Sequence, residues 1–196
     1  LLSVGSLDPG FSYDHLMVTH ISTSSTTLKA EERDLFFRET ARQLGEEPWV
    51  RGATVADFPL LSPHRSADLR LDGHTDPVPL VYSMVLPGFF ETLDIAVLQG
   101  RGFVPGDERG IRDVAVVNEA LARRFFAGQE PVGRRLWWPG ADGAPDRRYE
   151  IVGVVRDLKV HDLWSETPRL VYLPAAQHGE YLYSLQVHAR SELSAA

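Results

Sequence analysis

The chain has 196 residues, of which 43% are hydrophobic and 24% are charged, a composition typical of a folded protein and not of a disordered one. Its net charge of −7 argues against nucleic acid as a partner, and the absence of cysteine excludes disulfides, thiolate metal sites and a cysteine nucleophile. Because it contains no run of about 18 apolar residues and no recognisable signal peptide, we expect no segment of it to span a membrane.

The first part of the chain predicts a strand, a helix and a second strand. Alternating side chains favour a strand over 15–22, and a helix is predicted over 29–44 with Thr27 as its N-cap. The apolar face of this helix is formed by Phe37, Ala41 and Leu44. We expect Gly45 to end the helix in the left-handed conformation, before a strand over 50–58. The spacing favours a βαβ-like unit, with an antiparallel strand pair as the alternative.

The composition changes after Pro59. Two strands, over 66–72 and 78–85, are predicted on either side of a turn. Pro87 is expected to begin a short helix, because a first helical position needs no backbone N–H donor. The apolar side of this helix is formed by Phe89, Phe90 and Leu93. Residues 98–112 then predict a glycine-rich loop.

The last part of the chain predicts one more helix among several strands. A continuous apolar strand over 114–117 is followed by Asn118, which is expected to cap a helix that ends at Phe126 and is terminated by Gly128. Four further strands are predicted over 134–138, 148–156, 169–173 and 181–189.

Motifs that carry chemistry are missing from the sequence. There is no phosphate-binding glycine loop, no pair of histidines at metal-ligand spacing and no nucleophile-elbow motif. Gly100-Arg101-Gly102 is interpreted as a turn, and the acidic residues Asp68, Asp72 and Asp76 lack the density of a calcium loop. The sequence therefore predicts no catalytic residue, no metal and no cofactor.

Tryptophans are the remaining candidates for function. Trp137 and Trp138 lie on one predicted strand, so one ring is expected to face the core and the other to face outward. Core packing is the simplest interpretation of these rings, and the alternative is contact with a partner protein. Trp164 allows the same two interpretations. The basic pairs Arg123-Arg124, Arg134-Arg135 and Arg147-Arg148 lie among acidic residues and are interpreted as solvated faces.

Several motifs between Val81 and Pro174 occur in a characteristic order. They are Leu86-Pro87-Gly88-Phe89-Phe90-Glu91-Thr92-Leu93, Gly100-Arg101-Gly102-Phe103, Val114-Ala115-Val116-Val117-Asn118-Glu119-Ala120-Leu121, Glu150-Ile151-Val152-Gly153-Val154-Val155-Arg156-Asp157 and Val171-Tyr172-Leu173-Pro174. This succession resembles the MacB-like periplasmic core domain of ABC transporter permeases of the FtsX/MacB type. Two positions depart from the family pattern: Leu86 replaces a serine cap, and Asp94 replaces a glycine in the left-handed conformation.

The resemblance implies an α+β fold made of porter-like βαβ units with an inserted mixed α/β lobe and mixed sheets. Residues 1–196 would form one extracytoplasmic core domain. Residues 12–58 and 179–196 would belong to the porter-like part, whose second unit we expect to be truncated, and 59–178 would form the inserted lobe. Because the chain begins with Leu1 and not with methionine, we expect a fragment of a longer protein.

The resemblance also implies a function without catalysis. The domain would lie on the periplasmic or extracytoplasmic face of the bacterial inner membrane, as a soluble part of a membrane protein. It would couple the ATP-driven motion of membrane helices to export or efflux of a substrate. Its partners would be the permease's transmembrane helices, a cytoplasmic ATPase, a periplasmic adaptor or cargo, and a second copy in a homodimer, with no nucleic acid.

Two other functions remain open from the sequence. An extracytoplasmic ligand-binding or sensor module would need a concave pocket with a few converging polar groups. A hydrolase would need a titratable cluster with a nucleophile within hydrogen-bond reach.

Overall fold

A computed structural model describes residues 8–12, 14–57, 65–107, 112–140, 144–159, 166–178 and 184–191. The elements in chain order are β1 (Leu16–Ser22), α1 (Ala30–Gly45), β2 (Val50–Ala56), β3 (Arg65–Leu71), β4 (Val78–Val85), α2 (Phe89–Thr92), β5 (Val97–Gly100), β6 (Val114–Asn118), α3 (Glu119–Phe125), β7 (Arg135–Trp138), β8 (Arg147–Val155), β9 (Leu170–Pro174), a 3₁₀ turn (Ala175–Gln177) and β10 (Ser184–Ser191). Within these ranges, no helix is long and apolar enough to cross a membrane.

A small sheet is formed by the first, second and last strands. β10 lies between β1 and β2 and runs antiparallel to both, so β1 and β2 are parallel to each other. Helix α1 packs on β2 and β10 through a cluster that includes Phe37, Val55 and Val187. The predicted βαβ-like unit is therefore confirmed in a split form, with a third strand between its two parallel strands.

Six other strands close into a barrel. Their pairing runs from β4 through β3, β7, β8, β6 and β9 and returns to β4. The β6–β8 and β4–β9 pairs are parallel and the other four are antiparallel, which makes the fold a mixed α+β structure, as predicted. The barrel's apolar cluster includes Leu69, Leu71, Leu136, Ile151 and Val171, all of which are fully buried.

The small sheet and the barrel are joined along β4. Ala56 of β2 pairs with Val85 of β4, and Val85 also pairs with Pro174 of β9. A third apolar cluster surrounds this contact and includes Phe89 and Phe90 of α2. The short helix predicted near Pro87 thus supplies side chains that bind the two parts together.

Local capping differs from the prediction in three places. The N-cap of α1 is Lys29 and not Thr27, because the Glu32 carboxylate accepts the Lys29 N–H at 2.7 Å. Gly45 lies within the helix, and the right-handed Glu46 follows, so a left-handed ending at Gly45 is wrong. Gly88, with φ of 86°, caps α2, which places Pro87 before the helix and not inside it.

Other local predictions are confirmed. The Asn118 side chain accepts the Leu121 N–H at 3.1 Å at the start of α3, and Gly128 is left-handed after its end. Asp94 has φ of 54°, the left-handed conformation expected there. The predicted loop over 98–112 was wrong at its start, where β5 pairs with β8.

Candidate functional site

Trp137 lies on the outer face of the barrel. Its neighbour Leu136 is fully buried, whereas Trp137 is half-buried and lines two adjacent clefts. In the register of the sheet it stands between Arg70 of β3 and Arg148 of β8. The ring is therefore partly open to solvent and flanked on both sides by guanidinium groups.

Trp138 packs against the end of the barrel's core. Its ring contacts Tyr82 edge-on at 4.6 Å between centroids and lies 6.3 Å from the His178 ring. The expected split between an inward and an outward tryptophan on this strand is what the structure shows. Trp164 lies outside the described residues.

The larger cleft beside Trp137 has a volume of about 1090 Å³ and is lined mainly by charged side chains. The arginines along it are Arg112, Arg135, Arg147 and Arg148, and the acidic residues are Asp113, Asp146 and Glu150. From the sequence, the pairs Arg134-Arg135 and Arg147-Arg148 were interpreted as solvated faces. The missing signal was the register of β7 and β8, which places every second residue of each strand on the same face as Trp137.

A polar cluster begins at the wall of this cleft, where Arg147 and Asp113 are half-buried, and continues to Tyr149 and His178, which are buried. Arg147 binds both carboxylate oxygens of Asp113, at 2.7 and 2.8 Å, and donates to the Gln177 carbonyl at 2.8 Å. The Tyr149 hydroxyl is 2.9 Å from His178 Nε2, and the two rings are stacked. These bonds fix the ends of β8 and β9 against each other.

A second groove, of about 630 Å³, lies between α1 and the loop after β5. Its apolar wall includes Leu35, Leu86, Val104 and Pro174. Leu35 is 67% exposed and Val104 is 44% exposed, so this wall is open to solvent. The charged side chains on its rim are paired with one another, for example Arg42 with Glu39 and with Glu46.

The loop beside this groove is held by one ion pair. Arg101 donates to both oxygens of Asp107, at 2.7 and 2.9 Å, and the Val104 N–H donates to the same carboxylate. Burial opposes the ionisation of Asp107, but the hydrogen bonds from Arg101 and Val104 outweigh it, and its pKa lies below the ordinary value. The carboxylate therefore stays ionised and holds the loop in place.

Arg190 of β10 anchors the segments next to the small sheet. Its guanidinium donates to the carbonyl oxygens of Ser12, Asp14 and Thr92, at 2.7–2.8 Å. The residue is buried, and its Nη2 lies 3.3 Å from the Asp94 carboxylate. One side chain thus connects the last described strand with the chain before β1 and with the end of α2.

Asp57 anchors the other side of the junction. Its side chain is 3% exposed, and one oxygen accepts both the Ser83 hydroxyl at 3.0 Å and the Met84 N–H at 2.8 Å. Burial raises the pKa of Asp57, and these two hydrogen bonds offset the effect only in part. An ionised carboxylate at this position is therefore costly to the folded protein.

Metal ligands were not predicted, and the histidines and acidic residues are dispersed in the structure. No group of three or more His, Asp or Glu side chains that could hold a metal ion occurs within the described ranges. The acidic residues Asp68, Asp72 and Asp76 form no such group. The predicted absence of catalytic residues and of cofactors stays a prediction.

Three solved structures have a fold similar to that of this chain. The periplasmic region of MacB from Actinobacillus actinomycetemcomitans has a TM-score of 0.61 and 15% identity, over 95% of this chain and 79% of that one. The extracellular domain of the noncanonic ABC-type transporter YknZ from Gram-positive bacteria has a TM-score of 0.57 and 16% identity, over 91% and 84%. A domain of a putative permease protein from Porphyromonas gingivalis has a TM-score of 0.56 and 17% identity, over 97% and 80%.

At these identities the structures show a shared fold, and the family is shown by the sequence itself. No curated protein is similar enough in sequence to match the chain. The sequence pattern of one family, described as the MacB-like periplasmic core domain, matches residues 9–196. This range includes the barrel, the small sheet and the junction between them. The chain therefore belongs to the MacB-like periplasmic core domain family and is an extracytoplasmic domain of an ABC transporter permease.

Proposed function

We propose that this domain performs no chemistry and transmits motion. ATP hydrolysis by a cytoplasmic ATPase moves the permease's membrane helices, and the domain converts that motion into export or efflux of a substrate, or into action on a periplasmic adaptor or cargo. Residues 12–58 and 179–196 form the porter-like part of the domain, and 59–178 form the inserted lobe. A second copy of the permease completes a homodimer.

The observation that carries this proposal is the pairing of the chain's first and last described strands. Leu16, at the start of β1, lies opposite Arg190, near the end of β10. A displacement applied at either end of the domain therefore acts on the same small sheet. The barrel follows this movement, because the small sheet is bound to it through Ala56, Val85 and Asp57.

Rigidity of the junction is needed for such transmission. A packed interface passes displacement on when its parts move together, and it absorbs displacement when its polar anchors are loose. Arg190 and Asp57 fix the two sides of the junction through buried hydrogen bonds. In this proposal both residues act through the segments that they hold together.

Replacing Arg190 in the complete permease tests the proposal. Arg190→Leu removes the three hydrogen bonds to the Ser12, Asp14 and Thr92 carbonyls. We expect ATP hydrolysis to continue while transport falls at least about tenfold, the factor that corresponds to losing even one charged hydrogen bond. Both rates are measured in vesicles that contain the permease and its ATPase. Arg190→Lys keeps the charge and part of the bonding and serves as the conservative variant.

The matched control is Arg169→Leu, because Arg169 is exposed and lies on the barrel. The control should leave both rates unchanged. Equal transport in the Arg190→Leu variant and the wild type, with both correctly folded by circular dichroism, would contradict the coupling role. That result would favour the alternative, an extracytoplasmic ligand-binding or sensor module, for which the apolar groove beside α1 is the candidate site.

A further inference from the structure

The outer face around Trp137 carries arginines on three neighbouring strands. Arg70 of β3, Trp137 of β7 and Arg148 of β8 form one row across the sheet, and Arg135 lies two residues before Trp137 on the same strand face. We call these four residues the arginine–tryptophan face. Arg135 and Arg148 are exposed, and Trp137 is half-buried.

Three acidic side chains near this face are bound by other arginines, and a fourth, Asp72, lines the smaller cleft beside Trp137. Asp146 forms an ion pair with Arg70, and Glu150 lies 3.3 Å from Arg112. Asp113 is bound by Arg147 through both of its oxygens.

Two arginines of this face are not engaged in this way. Arg135, which lies opposite Glu150 in the register of the sheet, and Arg148 have no ion pair or side-chain hydrogen bond among the described residues. They stand out on a chain whose net charge is −7. A guanidinium binds a carboxylate with two parallel hydrogen bonds, and it also stacks on aromatic rings. Two such groups beside a half-exposed indole therefore offer the chemistry that binds carboxylates.

The spacing of the two arginines indicates the shape of the partner. Arg148 lies opposite Trp137, and Arg135 lies two residues before Trp137 on β7, so the two arginines are diagonal neighbours about 7–8 Å apart. In an extended peptide, residues i and i+2 point to the same side and lie about 7 Å apart. An extended segment with acidic residues at alternate positions therefore matches the two guanidiniums.

Two other modes of binding fit less well. Strand addition needs a free sheet edge, and β7 is already paired on both sides, with β3 and with β8. An anionic membrane surface typically attracts clusters of about four to eight basic residues, whereas carboxylates line the same cleft here. The face is suited to a discrete acidic protein segment.

We infer that the arginine–tryptophan face binds an extended acidic segment of a partner protein, with carboxylates at alternate positions held by Arg135 and Arg148 and with Trp137 packed against the side chain next to them. The inference rests on the proposed function only in supplying the periplasmic partner that it requires. The sequence predicted only that Trp137 is a candidate contact for a partner protein. The inference adds two arginines to this contact and specifies that the partner segment is acidic.

Binding of a defined peptide to the 196-residue chain tests this inference. The probe is an eight-residue peptide of alternating glutamate and threonine with blocked ends, and the comparison peptide has glutamine in place of glutamate. Isothermal titration calorimetry should show binding of the glutamate peptide at least about tenfold tighter, with the preference weakening as salt is added. The paired substitution Arg135→Gln and Arg148→Gln should reduce the affinity about tenfold or more.

The control pair is Arg124→Gln with Arg169→Gln, which changes the net charge equally at exposed arginines elsewhere. An equal loss of affinity in the control pair would overturn the inference, because it would show that net charge attracts the peptide and that no specific site binds it. So would absence of binding, or binding of phosphatidylglycerol vesicles that depends on Arg135 and Arg148 while the peptide does not bind. The binding assay needs no ATPase, so its failure would not contradict the coupling proposal. Conversely, unchanged transport in the Arg190→Leu permease would not contradict peptide binding.

Discussion

Two fully buried tyrosines differ in how their hydroxyl groups are satisfied. The Tyr149 hydroxyl is hydrogen-bonded to His178, whereas the Tyr172 hydroxyl has no hydrogen-bond partner among the described residues. Burial, together with the negative charge of Asp157, raises the pKa of Tyr172. The ring of Tyr172 packs edge-on against Phe90, at 5.0 Å between centroids. Its contribution to the fold therefore comes from the ring and not from the hydroxyl.

This difference predicts opposite effects of the same substitution. Tyr172→Phe removes an unsatisfied buried hydroxyl and should leave the free energy of unfolding unchanged or raise it by about 1 kcal/mol. Tyr149→Phe leaves His178 Nε2 without its partner and should lower the free energy of unfolding by about 1–3 kcal/mol. Urea denaturation of both variants measures the difference. A larger loss for Tyr172→Phe than for Tyr149→Phe would contradict this account.

Single residues were predictable from sequence where the chemistry is local. Asn118 was identified as a helix cap from its position after an apolar strand, and it caps α3. Its amide also donates to Asp157 and accepts the Leu170 N–H, contacts that span 39 and 52 residues and leave no local pattern. Arg135 and Arg148 were missed for the same reason, since their position beside Trp137 follows only from the register of β7 and β8.

At the level of elements, the close contact of β5 with β8 depends on glycine. A Cβ added to Gly153 of β8 would lie 2.1 Å from the Arg101 carbonyl oxygen, far inside any permitted contact. Arg101 immediately follows β5 and also holds Asp107. Gly153 therefore lets the loop beside the apolar groove approach the barrel.

Gly153→Ala should displace β5 and this loop. We expect the free energy of unfolding to fall by about 2–3 kcal/mol, because the obstructing atom belongs to the backbone and cannot rotate away. Gly106→Ala, in the same loop, is the matched control: a Cβ there meets nothing within 4 Å, so the change should stay within about 0.5 kcal/mol. Thermal unfolding of both variants decides the matter, and equal stabilities would refute the packing argument.

Helices and strands were largely predictable because periodicity and turn residues are local signals. The strand β5 was missed because it has only four residues, all of them exposed, and its pairing with β8 crosses more than fifty residues of sequence. Closure of the barrel was not foreseen either. It depends on the parallel pairing of β4 with β9, in which Val81 lies opposite Leu170, and nothing in either strand alone specifies that partner.

At the level of the whole molecule, the junction responds to pH through Asp57. Because its pKa is raised in the folded state, the folded protein holds this proton more tightly than the unfolded chain does. The stabilisation is complete below the unfolded pKa, near 3.9, and is lost as the pH rises through the folded value. At neutral pH the buried carboxylate therefore weakens the joint between the two parts.

Asp57→Asn should relieve this cost. The amide oxygen can accept the bonds from Ser83 and Met84, both of which go to a single oxygen of Asp57. We expect the variant to be more stable than the wild type at pH 8, and we expect this advantage to shrink towards pH 4, where the wild-type carboxyl group is protonated. Asp107→Asn should behave oppositely and lose most stability at pH 8, because the pKa of Asp107 is lowered. Urea denaturation between pH 4 and 8 measures these stabilities. The absence of this trend for Asp57→Asn would contradict a raised pKa of Asp57 in the folded protein.

Val85 has a consequence for how such domains can diversify. The strand that leads towards the barrel ends at Ala56, opposite Val85, and the strand that leads away from it ends at Pro174, opposite the same residue. A segment whose two ends meet at a single point can be lengthened, shortened or exchanged without changing the order of the strands around it. The barrel can therefore vary in length and in the sequence of its outer face while the pairing of β1, β10 and β2 in the small sheet is kept.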